Sequence, residues 1–185
     1  MSPLNISSLE GALKSLIEGE IASREIKVKA HDTEEGGVTD EAPQVIVGLS
    51  AGLLPKSASC VAVLVTEGQS EVPGVYLPEV WLIAVSPALL EAITEIDNRD
   101  LYEKISEIFQ DRPRKLPAES SEDFAARVQA WEDWREEVSG AIKDATGYVS
   151  TGWETNQVGY VRENDTWQHR VTFFLSCVHP SFVEN

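Results

Sequence analysis

The chain has 185 residues, with 15 Lys and Arg against 31 Asp and Glu, and therefore a formal net charge of −16. A chain of this length buries roughly 70% of its unfolded surface, so it needs no disulfide, zinc ion or haem to fold, and one domain spanning residues 1–185 is expected. The acidic composition disfavours tight binding of DNA, RNA or anionic membranes, because such binding uses Lys and Arg to neutralise phosphate. An acidic surface can still lie beside DNA that must pass without adhering.

The two cysteines and the apolar runs indicate the compartment. Cys60 and Cys177 each lie in an apolar, strand-like run, which predicts small buried side chains. The N-terminus lacks a basic stretch followed by an apolar segment, so no signal peptide is expected. The longest near-continuous apolar run, residues 60–65, is far shorter than the about 20 residues that span a bilayer. These features favour a protein made and used in a reducing cytoplasm.

The N-terminal segment predicts an amphipathic helix that ends near Ser23. Ser7 and Glu10 form a candidate capping box, and the apolar residues that follow recur at helical spacing: Leu9, Leu13, Leu16, Ile17 and Ile21. Residues 26–30 alternate between apolar residues and lysine, which predicts a short half-buried strand. Its expected partner is the next apolar run, residues 44–49.

Between these two strands, residues 31–43 predict a mobile, acidic and solvent-exposed loop. The segment contains the Gly36-Gly37 pair and lacks Lys and Arg, as is typical of solvated loops. Its carboxylates are Asp32, Glu34, Glu35, Asp40 and Glu41. A metal site built from His31 and its acidic neighbours would match no known ligand spacing, so a solvated charge run is the preferred interpretation.

The middle of the chain predicts strands at residues 44–49, 59–66 and 79–86, with a turn at Pro73-Gly74. Residues 87–96 then predict a short helix that begins with Pro87. Asp100 is expected to cap the next helix, whose apolar stripe is Leu101, Ile105, Ile108 and Phe109.

A helical segment is predicted at about residues 112–146. Its long helix begins at Ser120-Ser121-Glu122-Asp123, with acidic residues at the positive end of the helix dipole, and it ends at Gly147. Trp134 lies off the apolar stripe of this helix, so it is expected to cover a loop or contact another subunit. The carboxylates of the same helix are expected on its solvated face: Glu132, Asp133, Glu136 and Glu137.

The C-terminal third predicts a β-hairpin, with strands at residues 158–162 and 167–178. Alternation places Val171, Phe173 and Leu175 on a core face and leaves Phe174 on the other face, as a possible contact to another layer or subunit. The order of helix, strands, helices and hairpin predicts an α+β fold, in which helices pack on a mostly antiparallel sheet.

No motif for catalysis is present. His31, His169 and His179 lie in no recognisable nucleophile–base pattern, and no phosphate-binding glycine motif occurs. The sequence therefore predicts no catalytic residue, no cofactor and no metal, and His169 is interpreted as a hydrogen-bonded structural histidine.

The run Trp167-Gln168-His169-Arg170-Val171-Thr172-Phe173-Phe174-Leu175, together with the order of elements and the small acidic format, resembles tail-terminator (tail-completion) proteins of long-tailed bacteriophages. The resemblance covers most of the chain in outline. It implies a non-catalytic virion protein, assembled in the host cytoplasm, that caps the tail tube as a ring, usually a hexamer, and joins the tail to the head. Its partners would be further copies of itself, the tail-tube protein and neck or head-completion proteins.

In such a ring, the carboxylates of residues 31–43 are expected to face the lumen or one face of the ring, where they would repel passing DNA. Three alternatives remain. One is another neck or head–tail connector component. Another is a stand-alone adaptor domain that binds proteins through exposed Trp131, Trp134 or Trp153. The third is an enzyme with an acidic active site.

Overall fold

A computed structural model describes residues 3–31, 36–49, 56–68, 70, 72–88, 90, 93–163 and 165–183, and only the backbone of residues 156–158. The helices are α1 (Ile6–Ser23), α2 (Glu95–Ser106) and α3 (Ser121–Thr146). The strands are β1 (Val28–His31), β2 (Val38–Glu41), β3 (Gln44–Val47), β4 (Cys60–Thr66), β5 (Val75–Tyr76), β6 (Glu79–Pro87), β7 (Val149–Glu163) and β8 (Thr166–Val178).

The main sheet has the strand order β3–β4–β6–β8–β7, and the short β5 pairs with the end of β8. All its neighbours are antiparallel except β3 and β4, which run parallel. The predicted α+β fold with a mostly antiparallel sheet is confirmed, as is the closing hairpin of β7 and β8. The first hairpin strand begins at Val149, well before residue 158.

Helix α1 buries the five apolar residues that the sequence predicts, but its start differs. Asn5 is the N-cap, and its side-chain oxygen accepts a hydrogen bond from the backbone N–H of Ser8 at 3.1 Å. The predicted capping box of Ser7 and Glu10 is therefore wrong. Asn and Ser are both good N-caps, and the sequence pattern did not separate two candidates so close together.

The predicted partner of the first strand is wrong as well. β1 pairs with β2 in a separate two-stranded sheet, whereas β3 joins β4. The segment predicted as a loop, residues 31–43, therefore contains a strand at Val38–Glu41. All four side chains of β2 are exposed, so its pairing with β1 depends on backbone hydrogen bonds. Because no β2 side chain is buried, the sequence shows no apolar alternation that would predict this strand.

Where two helices were predicted between residues 87 and 109, the described residues contain one, α2; residues 89, 91 and 92 of the first predicted helix lie outside them. Pro87 ends β6, and Thr94 caps a single helix. The Thr94 hydroxyl accepts a hydrogen bond from the Asp97 N–H at 3.3 Å, and the Asp97 carboxylate accepts one from the Thr94 N–H at 2.8 Å. This capping box fixes the helix start, so Asp100 lies inside the helix and not at its cap.

Helix α3 follows the prediction closely at both ends. Ser120 is its N-cap, and Gly147 ends it in the left-handed conformation with φ of +77°. The segment predicted as helical from residue 112 is not helical before Ser121.

The helices all pack on one face of the main sheet. There the core includes Leu13 of α1, Ile105 of α2, Ile142 of α3 and Phe173 of β8. Among the described residues, a smaller buried cluster on the opposite face consists of strand residues: Ile46, Cys60, Ala62, Ile83 and Val85. In the described part of the chain, one face of the sheet is thus covered by helices, and we call the other the open face.

Candidate functional site on the open face of the sheet

A row of four side chains crosses the open face near one end of the sheet. Strand pairing places Thr66, Glu79, Phe174 and Glu154 directly opposite one another on β4, β6, β8 and β7. Opposite residues on one face of a sheet have Cβ atoms about 5 Å apart. Phe174 is 40% exposed, so its ring meets solvent with a carboxylate on either side.

Leu77 extends this row towards the β5 end of the sheet. The N–H of Leu175 donates to the carbonyl of Pro78 at 3.0 Å, so the pairing with β8 continues just before β6 begins. Leu77 is 42% exposed, and alternation puts it on the open face beside Phe174. We call Leu77, Glu79, Glu154 and Phe174 the acidic–aromatic patch.

Among the described residues, a single arginine, Arg170, lies on the open face, away from this patch. The Arg170 guanidinium carbon is 4.7 Å from the centre of the Trp81 ring, a cation–π contact. Gly159, opposite Arg170 on β7, leaves room for it, because a Cβ at that position would lie 3.0 Å from Arg170 Nε. Among the described residues, no ion pair involves Glu79 or Glu154.

The two edges of the main sheet are open and differ in length. Within the described residues β3 pairs only with β4, and the much longer β7 pairs only with β8. Asp111 covers one point of the β7 edge, where its carboxylate accepts hydrogen bonds from the N–H and hydroxyl of Thr155 at 3.1 and 3.0 Å. Open edges of this kind can pair with another chain.

The predicted acidic site is only partly within the described residues. Asp32, Glu34 and Glu35 lie outside them, whereas Asp40 and Glu41 are exposed side chains of β2. Lys29 of β1 binds Asp97 of α2 at 3.0 Å and links the small sheet to the helix layer. Burial opposes ionisation of Asp97, but hydrogen bonds from Thr94 and Lys29 outweigh it, and the net effect lowers the Asp97 pKa.

The tryptophans proposed as exposed anchors are engaged within the chain. The indole N–H groups of Trp131 and Trp153 donate to the Gln110 carbonyl at 3.0 and 3.1 Å. Trp134 is half-buried and packs against Phe109, with ring centres 5.9 Å apart. Trp134 belongs to the helix-covered face and Phe174 to the open face, so the structure does not bring these two predicted contact residues together.

His169 is hydrogen-bonded in the way expected of a structural histidine. Its Nδ1 lies 2.5 Å from Asn98 Oδ1, and the Asn98 amide donates to the Ala84 carbonyl at 2.9 Å and the Ser86 hydroxyl at 2.8 Å. Burial lowers the His169 pKa. The imidazole is therefore oriented by an amide that is itself fixed.

The cysteines are free and buried, as predicted. Burial raises the pKa of both Cys60 and Cys177 to about 12, so both are protonated at neutral pH. In the described ranges, no group of three or more His, Cys, Asp or Glu is placed to hold a metal ion. No described helix has the length and apolar character needed to cross a membrane.

The chain matches no protein-family model and no curated protein sequence. The fold is an α+β domain, and its candidate site is the acidic–aromatic patch on the open face of the sheet. Of its residues, the sequence singled out only Phe174. Glu79, Glu154 and Leu77 were missed, because their proximity depends on strand register between segments far apart in the chain.

Proposed function

We propose that this protein is a non-catalytic structural subunit of a long-tailed phage, which caps the tail tube as a ring, usually a hexamer, and joins the tail to the head. The open face of the sheet carries this proposal. An exposed aromatic and aliphatic pair on an otherwise well-packed sheet is typical of a protein–protein contact. Two unlike open edges also suit head-to-tail contacts, which close into rings.

The charge distribution supports the same function. The exposed Asp40 and Glu41 of β2 and the net charge of −16 make a surface that repels phosphate. A negative potential of this kind keeps DNA from adhering as it passes through a lumen.

Light scattering after size exclusion and electron microscopy with purified tail tubes test the ring. We expect a hexamer, or a monomer that forms a ring only at the end of a tube. Binding along the tube wall, or no binding at all, would contradict the proposal. A monomer that ignores tubes and captures an unrelated protein would favour the adaptor alternative, and measurable hydrolase activity would favour an enzyme.

The lumen assignment has its own test. Changing Asp32, Glu34, Glu35, Asp40 and Glu41 to the corresponding amides should leave ring assembly intact and slow DNA passage. Unchanged infectivity of a phage that carries all five changes would count against the placement of this segment at the lumen.

A further inference from the structure

The most basic stretch of the chain lies between α2 and α3. Arg112, Arg114 and Lys115 fall within four residues, followed by Leu116. We call residues 112–116 the basic strap. Leu116 is 58% exposed, so the strap combines positive charge with an exposed aliphatic side chain.

The strap backbone is anchored on α3. Arg127 donates from Nη2 to the Arg114 carbonyl at 2.9 Å, and the Arg112 guanidinium lies 3.5 Å from the Glu132 carboxylate. The rings of Pro113 and Pro117 further restrict the backbone. A segment held in this way loses less conformational entropy when it binds.

Arg114 and Lys115 of the strap are exposed. Lys115 donates to the Ser121 hydroxyl at 2.9 Å. In the described part of the chain, neither Lys115 nor Arg114 forms an ion pair with a carboxylate. Lys115 lies near Glu119, whose pKa is lowered chiefly by its hydrogen bond from Arg127. Arg114 and Lys115 thus carry positive charge that Glu79 and Glu154, also without an ion pair in the described residues, can complement.

We infer that the basic strap of one copy of this chain binds the acidic–aromatic patch of the next copy. The strap runs along α3 from the β7 edge, where the preceding residue, Asp111, bonds to Thr155, whereas the patch lies on the open face. Because the two surfaces differ, each copy offers one surface to each neighbour, which is a heterologous contact that can close into a ring. This inference rests on the proposed ring function and names its contact.

The chemistry of the two surfaces is complementary. An arginine over Phe174 gains a cation–π contact while its N–H groups donate to Glu79 or Glu154 as charge-assisted hydrogen bonds. Leu116 and Leu77 supply apolar area beside these charges. A contact of this composition weakens as salt rises, because its exposed charges are screened.

A charge-swap experiment tests the contact. The patch variant carries Glu79→Arg and Glu154→Arg, and the strap variant carries Arg114→Glu and Lys115→Glu. Each alone should weaken self-association by roughly a hundredfold in sedimentation velocity, because like charges then face each other. An equimolar mixture of the two should associate again, since the strap of each then meets an opposite charge on the patch of the other.

A control matched to the patch variant carries Glu136→Arg and Asp144→Arg. These two changes make the net charge less negative by the same amount as the patch variant does, at exposed positions of α3. This control should associate like the unaltered protein. Circular dichroism should show native folding for every variant, and Phe174→Ala provides a second, uncharged probe that should also weaken association.

The outcomes separate this inference from the proposed function. If the charge-reversed variants and Phe174→Ala still associate normally, or if the mixture fails to recover, the contact is wrong while a ring on tail tubes stands. If the unaltered protein forms rings only at the ends of tail tubes, the variants are compared there, and rings of the charge-reversed variants equal to those of the unaltered protein show that the contact is wrong. If the unaltered protein neither associates nor binds the ends of tail tubes, the proposed function fails as well.

Discussion

The two faces of the main sheet divide the properties of this protein between them. On the helix-covered face, Phe173 is 1% exposed and stacks on Phe109, with ring centres 4.7 Å apart. On the open face, the next residue, Phe174, is 40% exposed and lies between two carboxylates. Consecutive identical residues thus have different environments, because strand side chains alternate between faces. The helix-covered face stabilises the fold, and the Phe174 end of the open face is free to bind.

The largest expected effect comes from this pair. Phe173→Ala should lower the free energy of unfolding by about 3–5 kcal/mol, because it leaves a cavity in the core. Phe174→Ala should lower it by less than about 1 kcal/mol. Urea denaturation followed by tryptophan fluorescence measures both. Similar losses in the free energy of unfolding for the two variants would contradict the assignment of different roles to the two faces.

The buried polar network around Asn98 should give the next largest effect. Asn98→Leu removes the partners of His169, Ser86 and the Ala84 carbonyl, and unsatisfied buried groups of this kind lower the free energy of unfolding by about 2–3 kcal/mol. Thr66→Val, which removes a hydroxyl from the open face, is the matched control and should cost less than about 0.5 kcal/mol. Chemical denaturation compares them, and equal costs would argue against a buried role for Asn98.

A smaller effect is expected for Arg170 on the open face. Arg170→Ala removes the cation from the Trp81 ring and should lower the free energy of unfolding by about 0.5–1 kcal/mol. Gly159→Ala should have a similar effect, since the added Cβ would displace the same side chain. Both substitutions should alter Trp81 fluorescence. The Trp81 signal is the difference between each protein and its Trp81→Phe counterpart, and a signal unchanged in both variants would mean that the contact does not form in solution.

The smallest effect is a dependence of stability on pH. Burial lowers the folded-state pKa of His169 below 6.5. As the pH falls, His169 therefore binds its proton in the unfolded chain before it does so in the folded chain. The stabilisation is full above pH 6.5 and is lost as the pH falls through the folded-state pKa. Denaturation between about pH 7.5 and 5 should therefore show a steeper loss for the unaltered protein than for His169→Gln. Parallel curves would contradict this assignment.

The helix-covered face was largely predictable from sequence. The apolar spacing of α1, from Leu9 to Ile21, and the flanking Ser120 and Gly147 of α3 predicted helices that the structure contains. These signals are local, since a helix period and its caps act within a few residues. The strands β4, β6 and β8 were predictable for the same reason, as runs of apolar and β-branched residues.

The open face was not predictable in the same way. Glu79 and Glu154 lie far apart in sequence, and only the register of β6, β8 and β7 brings both beside Phe174. The prediction of residues 44–49 as the partner of β1, where the structure has β2, was wrong for the same reason. Alternation identifies a strand and its faces, but it does not specify which strand pairs with it.

The sequence by itself therefore determined the α+β class, the long helix α3, the closing hairpin and the acidic surface, because these depend on composition and short-range periodicity. The tertiary structure alone decided that the tryptophans bond to the Gln110 carbonyl or pack on Phe109, that Phe174 stands between carboxylates, and that α3 anchors the basic strap. Those placements require long-range strand register and helix packing, which bring together residues that local patterns leave unrelated.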